Sequence, residues 1–299
     1  MARGYVIYNP LAGKGNALEE AKLLQLLLDE DMVFYDMTRI TNYAAFVAGM
    51  DEEDYLAIEG GDGTLNRFVN DTADVKVRQE ILYFPTGTGN DFAKDLEMGE
   101  NPGFITQYLK NLPTVEVKGK RYRFINGVGF GIDGYCCQEG AALRKISGRK
   151  INYTAIAMKG LLWRFNPGNA KITVDGNEYS YRKVWLAPTM LGSFYGGGMM
   201  PTPIQDRNSG KLSVMVFYGA GRFRALCAFP SIFKGKHIKY TKMTAVHTGS
   251  EITVELDRPS TLQIDGETMP NVTEYTAYAP GNHVKKPWEN RFSQPKSLL

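Results

Sequence analysis

The sequence predicts an α/β chain: an N-terminal parallel sheet with flanking helices, followed by a mainly antiparallel, β-sandwich-like domain. Two observations carry this. Up to about Leu112 short apolar runs alternate with helical patterns, and from about Thr114 the texture turns to strand-turn-strand. Repeated βα units read as a parallel sheet covered by helices. A third observation gives the sheet a purpose. Three glycine-rich segments fall at the carboxyl ends of its strands, where α/β sheets bind ligands.

In chain order, Tyr5 to Tyr8 reads as a strand before the helical pattern Ala17 to Leu28, and Val33 to Met37 as a strand before Tyr43 to Met50. Tyr55 to Ile58 then precedes Leu65 to Asn70, and Ile81 to Phe84 precedes Asp91 to Leu96. The second half offers VEVKGKRYRFI, KITVDGNEYSYRKVWLA, KLSVMVFY, EITVEL and TLQIDGE as strands and turns, with only Glu139 to Arg164 substantially helical. The division falls between 1–114 and 115–285, and the polar tail, 286–299 in its last part, carries weak structural signals.

The 299 residues are 43% hydrophobic and 22% charged, so core material is ample for one large domain or two ordinary ones. A formal charge of +3 and a pI near 8.5 are too mild for a nucleic-acid protein, and no nucleic-acid partner is expected. Cys136, Cys137 and Cys227 lack CxxC spacing, which excludes a disulfide scaffold or a cysteine zinc site. MARGYVIYNP is too short an apolar run for a secretory signal, and no stretch approaches a membrane span, so a cytoplasmic protein is expected. His237, His247 and His283 lack HExxH spacing, and GxSxG is absent.

A glycine turn at a strand end lets backbone N–H groups converge on phosphate oxygens. In IEGGDGTLNRFVND, Gly60, Gly61 and Gly63 suit that work. Asp62 would repel bare phosphate, so it implies a bridging Mg²⁺ or a hydrogen-bonding role that organises the loop. Thr64 can donate a hydroxyl, and the helix from Leu65 adds its positive end. NPLAGKG (Asn9 to Gly15) and PTGTGNDFAK (Pro85 to Lys94) occupy equivalent places. Three such turns on one sheet edge imply a nucleotide. Familiar motifs fail, however. The glycine five positions before Gly13 is missing and Gly15 replaces the hydroxyl residue after Lys14, so NPLAGKG is not a P-loop. GFGIDG (Gly129 to Gly134) fits GxGxxG, yet between Gly140 and Lys171 no acid stands ready for a ribose.

NPLAGKG, GGDGTLN and TGTGNDFAK, in this order, resemble the nucleotide-binding segments of the diacylglycerol kinase catalytic family, which includes bacterial lipid kinases and sphingosine kinases. FINGVGFGID, YGGGMMPTP, DRNSGKLSV and QIDGE resemble its β-domain segments. The resemblance spans roughly Tyr5 to Glu267. It implies an ATP site contacted by Asn9, Pro10, Leu11, Ala12, Gly13, Thr38, Gly60, Gly61, Asp62, Gly63, Thr64, Leu65, Asn66 and Thr88. A strand-end cap is the other reading of Thr38. It further implies that Asp265 is the catalytic base, that Glu267 assists at nucleotide or metal, and that 115–285 holds the lipid acceptor. Asp-Gly is equally a favoured hairpin turn, as Asp175-Gly176 is read.

The resemblance also implies Mg²⁺, both with ATP and as a structural ion around Asp206, Ser209 and Lys211. The family often places two acids before the glycine of that loop. Here Asp206 alone is acidic, and Ser209 precedes Gly210. Arg67 likewise stands where the family commonly has glutamate. Between Lys211 and Ser250 there is no Asp or Glu, while Arg222, Arg224, Lys234, Lys236, Lys239 and Lys242 interleave with Phe223, Phe229 and Phe233. Such a region suits either peripheral docking on an anionic membrane or a solvated basic face. GGDGT is shared with NAD kinases, which stand as an alternative together with a non-catalytic nucleotide- or lipid-binding module.

Overall fold

The computed structural model describes residues 3–10, 16–147 and 153–281. Its first unit has strands β1 (Gly4–Tyr8), β2 (Met32–Asp36), β3 (Tyr55–Gly60), β4 (Glu80–Pro85) and β5 (Gly103–Phe104) in the order β2-β1-β3-β4-β5. The sheet is mixed rather than wholly parallel, because β5 runs antiparallel to β4 at the edge. Helices α1 (Ala17–Leu28), α2 (Tyr43–Ala48), α3 (Asp62–Asp71), α4 (Asp91–Asp95) and α5 (Thr106–Leu109) connect and flank the strands.

Burial on both faces explains the near-continuous apolar strands. Ile7, Leu56, Ile58 and Tyr83 pack with Leu65, Phe68 and Phe92 on one side, while Val6, Ala57 and Leu82 meet Ala21 and Leu24 on the other. The strand order reverses between β1 and β3, so a crevice opens at their carboxyl ends. The loops after β1 and β3 leave from its two sides.

The second unit is one ten-stranded antiparallel sheet. Its strands are β6 (Thr114–Val117), β7 (Lys120–Arg123), β8 (Gly127–Gly131), β9 (Gly168–Val174), β10 (Asn177–Val184), β11 (Leu186–Met190), β12 (Leu212–Phe217), β13 (Thr244–Gly249), β14 (Glu251–Ile264) and β15 (Glu267–Tyr278). β14 changes neighbour midway: Ile252 to Leu256 pair with β9, and Leu262 to Ile264 pair with β8. The register slips between Glu255 and Leu262, where the strand redirects from one neighbour to the other. The core between the layers holds Phe124, Phe130, Ile172, Val214, Val254 and Tyr275.

More of this unit is helical than its sequence suggests. Helix α6 (Ile132–Ser147) begins well before Glu139, and α7 (Tyr153–Lys159) runs into a π-helical turn, Gly160–Arg164. Helix α8 (Arg222–Ala228) and the 3₁₀ turns Phe229–Lys234 and Lys236–Lys239 occupy the basic aromatic region. Ala225, Ala228, Phe229 and Ile232 turn inward there, which leaves Arg224, Lys234, Lys236, Lys239, Lys242 and Phe223 outside.

Candidate active site at the seam between the two sheets

β3 ends in Gly60 at φ +146°, a conformation only glycine adopts readily, and the chain turns into α3. Gly61 then meets the loop after β4. A Cβ on Gly61 would stand 2.9 Å from the Gly87 Cα, and one on Gly87 would stand 2.4 Å from the Gly61 Cα. The two glycine loops therefore touch through their backbones. Gly63 is exposed, with nothing within 4 Å of a Cβ placed there; the N–H groups of Thr64 and Leu65 turn back to the Gly61 carbonyl, which leaves those of Asp62 and Gly63 without a partner among the described residues. Those features suit phosphate.

Other predicted contacts are placed differently. Thr64, Leu65 and Asn66 are buried, while Thr88 is exposed between the two loops. Asn9 and Pro10 follow β1, and Leu11, Ala12 and Gly13 lie outside the described residues. Thr38 donates both its N–H (2.8 Å) and its hydroxyl (2.6 Å) to Asp36 Oδ1, which is the strand-end cap reading. That hydroxyl bond lowers the Asp36 carboxyl below its usual range.

Asp62 takes the organising role. Its carboxylate accepts the N–H groups of Asp91 (2.9 Å) and Phe92 (2.8 Å) at the start of α4, and the Asn126 side-chain amide (3.0 Å). Asp91, buried beside it, accepts the Gly197 N–H at 2.6 Å. Burial raises Asp91 to about 6, and Asp62 adds to the rise. Gly196, Gly197 and Gly198 all have positive φ, so the YGGGMM loop reaches α4 in a path closed to ordinary residues. Arg67 points along the surface of α3 to Asp71 at 3.3 Å.

Asp265 lies at the seam. With Gly266 it makes the two-residue turn between β14 and β15, at φ +46° and +93°. Asp175 and Gly176 make the same turn elsewhere, at φ +46° and +83°. The Asp265 carboxylate is nonetheless occupied: Oδ1 accepts the N–H groups of Asn126 and Gly127, both at 2.9 Å. Oδ2 accepts the Ile125 N–H at 2.6 Å and Asn66 Nδ2 at 2.8 Å. Asp265 is thus a turn residue and a partly buried acceptor at once. Burial raises this carboxyl to about 6, against the pull of its four donors. Since a carboxylate offers about four lone-pair positions, all are taken, and Asn66 brings α3 of the first sheet to a turn of the second. Glu267, two residues on, is exposed, and its side chain makes no hydrogen bond or ion pair to a described residue.

Several residues at the seam carried no separate signal. Arg207, buried, donates to Asp95 Oδ2 (2.7 Å), the Ile125 carbonyl (2.5 Å) and Asn126 Oδ1 (3.1 Å), above the Phe92 ring. Asp133, at the start of α6, is buried and its carboxyl is raised by that burial. Its Oδ2 accepts Tyr195 Oη (3.3 Å) and Gln263 Nε2 (3.2 Å), and Gln263 in turn accepts the Gly266 N–H at 2.9 Å. Glu59, next to last in β3, accepts the Thr86 hydroxyl, and burial raises it to about 7. Asp206, Ser209 and Lys211 sit together in the loop before β12, where Asp206 Oδ1 accepts the Asn208 N–H at 2.8 Å.

Three kinds of comparison agree with this architecture. Residues 3–118 match the diacylglycerol kinase catalytic domain, and residues 126–283 match the YegS C-terminal NAD kinase beta sandwich-like domain. Diacylglycerol kinase of Mycobacterium tuberculosis (strain ATCC 25618 / H37Rv) is 26% identical over 295 residues, covering 93% of each chain. Diacylglycerol kinase of Bacillus subtilis (strain 168) is 26% identical over 305 residues, covering 95% of this chain and 93% of that one. A crystal structure of a diacylglycerol kinase from Bacillus anthracis str. Sterne shares the fold at a TM-score of 0.59 and 20% identity, covering 93% of this chain and 94% of that one. The chain belongs to the diacylglycerol kinase-like lipid kinase family. Among the described residues no helix is long and apolar enough to cross a membrane.

Proposed function

We propose that this chain is an ATP-dependent kinase that transfers the γ-phosphate to a lipid hydroxyl, with diacylglycerol as the leading acceptor. One observation supports the reading above others: the Asp265 carboxylate binds α3, which starts in the glycine loop, to the Ile125–Gly127 turn of the second sheet. Nucleotide loop and acceptor domain are thereby held in one register.

The open N-terminal turn of α3 and the paired glycines, with Asn9, Pro10 and Thr88 beside them, would receive the phosphates. Mg²⁺ bound with ATP would be held by the phosphates and by Asp62, whose Oδ2 has one partner, and would neutralise charge on the transferring group. As the lipid oxygen attacks the γ-phosphorus and ADP leaves, the hydroxyl proton needs an acceptor with a free lone pair. Asp265 can offer one only by releasing a donor. Asp265 takes the proton on releasing the Asn66 amide, the side-chain member of its four donors, and Glu267, exposed at the start of β15, assists at the nucleotide or metal.

Peripheral membrane contact completes the reading. Trp163, Ile204 and Phe223 are 72%, 81% and 75% exposed, and Lys234, Lys236 and Lys239 are exposed. Arg222 joins α8 to the π-helical turn by donating to the carbonyls of Leu161 (3.1 Å) and Phe165 (2.9 Å). Apolar anchors amid cations suit an anionic lipid surface. The test supplies γ-labelled ATP and Mg²⁺ with vesicles containing diacylglycerol, a sphingoid base, a polyprenol or phosphatidylglycerol, and NAD in parallel. Labelled phosphatidate is expected. ATP binding without transfer to any acceptor would identify a binding module, and labelled NADP an NAD kinase.

A further inference from the structure

The loop from Asp206 to Lys211 is where the family resemblance places a structural divalent cation, and the carbonyls of Asp206 and Lys211 are already engaged. Gln205, buried at its base, donates from Nε2 to the carbonyls of Asp206 (3.1 Å) and Lys211 (2.9 Å), with Ser209 Oγ at 3.5 Å. Its Oε1 accepts the Ser213 hydroxyl at 2.5 Å, and Ser213 Oγ lies 2.7 Å from Thr248 Oγ1 on β13. The amide is therefore fully used and fixed in orientation. A divalent cation needs about six oxygens at roughly 2.0–2.6 Å, and an N–H₂ group among those oxygens directs its hydrogens where the ion would sit. Other atoms of the loop are committed too. Asp206 Oδ1 closes a local turn on the Asn208 N–H, the Asp206 carbonyl also accepts the Ser209 N–H, and Ser209 Oγ accepts the Lys211 N–H at 3.3 Å. Among the described residues no three His, Cys, Asp or Glu side chains gather as ligands.

Positive charge reaches this loop by another route. Arg207, 8% exposed, carries a permanent cation from the loop to Asp95 on α4 and to the Ile125–Asn126 turn, whose N–H groups hold Asp265. We propose that the Asp206–Lys211 loop takes no divalent cation. Gln205 gathers its carbonyls, and Arg207 supplies the charge that ties it to the seam. The two tasks of a structural ion are divided between adjacent side chains.

The test is melting of the full, nucleotide-free chain in chelator and in graded Mg²⁺ or Ca²⁺, beside Asp206→Asn and Gln205→Ala. Because the readout is unfolding, it is independent of whether the chain phosphorylates a lipid. Chelator should leave the wild-type midpoint unchanged. Any rise with cation should be the same in Asp206→Asn, since such an ion binds elsewhere. Gln205→Ala should melt lower by roughly 2 to 6 °C, or fail to fold, having lost two amide–carbonyl bonds. A cation-dependent rise in wild type that Asp206→Asn abolishes would overturn the proposal, and so would a Gln205→Ala midpoint equal to wild type.

Discussion

Replacing Asp265 with asparagine keeps the side-chain size and the turn preference but exchanges one acceptor oxygen for an N–H₂ group. The amide oxygen can take the place of Oδ1 and keep the N–H groups of Asn126 and Gly127. The new N–H₂ then faces the Ile125 N–H and the Asn66 amide. Asn66 can turn its oxygen toward it, whereas the backbone N–H of Ile125 cannot adapt. One buried donor left unpaired costs about 1–3 kcal/mol. Against this, Asp265 is raised to about 6 with the pull of its donors already included, so removing the charge returns about 3 kcal/mol. The two offset in Asp265→Asn, whereas Asp265→Ala leaves all four donors unpaired, at about 4–12 kcal/mol, and should lose at least about 1 kcal/mol net, or roughly 2 to 4 °C of melting temperature for a chain of this size. Thermal and urea unfolding at neutral pH measure it, with an unchanged urea m-value showing that the unfolded state is the same. An Asp265→Ala midpoint equal to or above wild type would refute the claim that this carboxylate ties the two sheets together.

Gly63→Asp should abolish ATP binding with little change in melting, because its Cβ meets open space while its charge opposes phosphate; Gly61→Ala should lower the melting temperature, because its Cβ meets the Gly87 backbone at 2.9 Å. Equal ATP affinity in Gly63→Asp would remove the loop from the nucleotide site. Glu59, 1% exposed and raised to about 7, stabilises the fold fully below its unfolded value near 4.5 and loses on the order of 3 kcal/mol as pH rises to about 7. Glu59→Gln should flatten that loss, so its unfolding free energy should exceed wild type at pH 8 and approach it near pH 4.5; parallel pH curves would contradict this. Glutamine at Lys234, Lys236 and Lys239 should weaken binding to anionic vesicles by roughly 1 kcal/mol per residue at low salt and by less at high salt. Equal sedimentation with vesicles would leave those lysines as solvated charge.

Periodicity reveals elements that are long or doubly buried. Helix α1 is legible to its last residue from Ala17 to Leu28, and β3 and β4 from their apolar runs. Helix α8 was hidden because its seven residues contribute only Ala225 and Ala228 to the core, within a stretch whose charge dominates the eye. The two-residue β5 leaves no period at all. At the site, the glycine loops and IDGE are visible because their spacing is local. Gln205, Arg207 and Asp133 were not, because their meaning lies in partners brought close by the fold: Arg207 reaches Asp95 and Ile125, 112 and 82 positions away. Turn and functional carboxylate seemed to compete at Asp265, and the left-handed turn is what aims its side chain at three backbone donors.

Proton transfer at Asp265 is tested most directly by single-turnover transfer from ATP to the best lipid acceptor in wild type, Asp265→Asn and Glu267→Gln, with ATP affinity and melting recorded for all three. Asp265→Asn should transfer roughly 10²- to 10⁴-fold more slowly at unchanged ATP affinity, as loss of a general base requires. A near-normal rate in Asp265→Asn, with the fall found in Glu267→Gln instead, would contradict the assignment and move the base to Glu267.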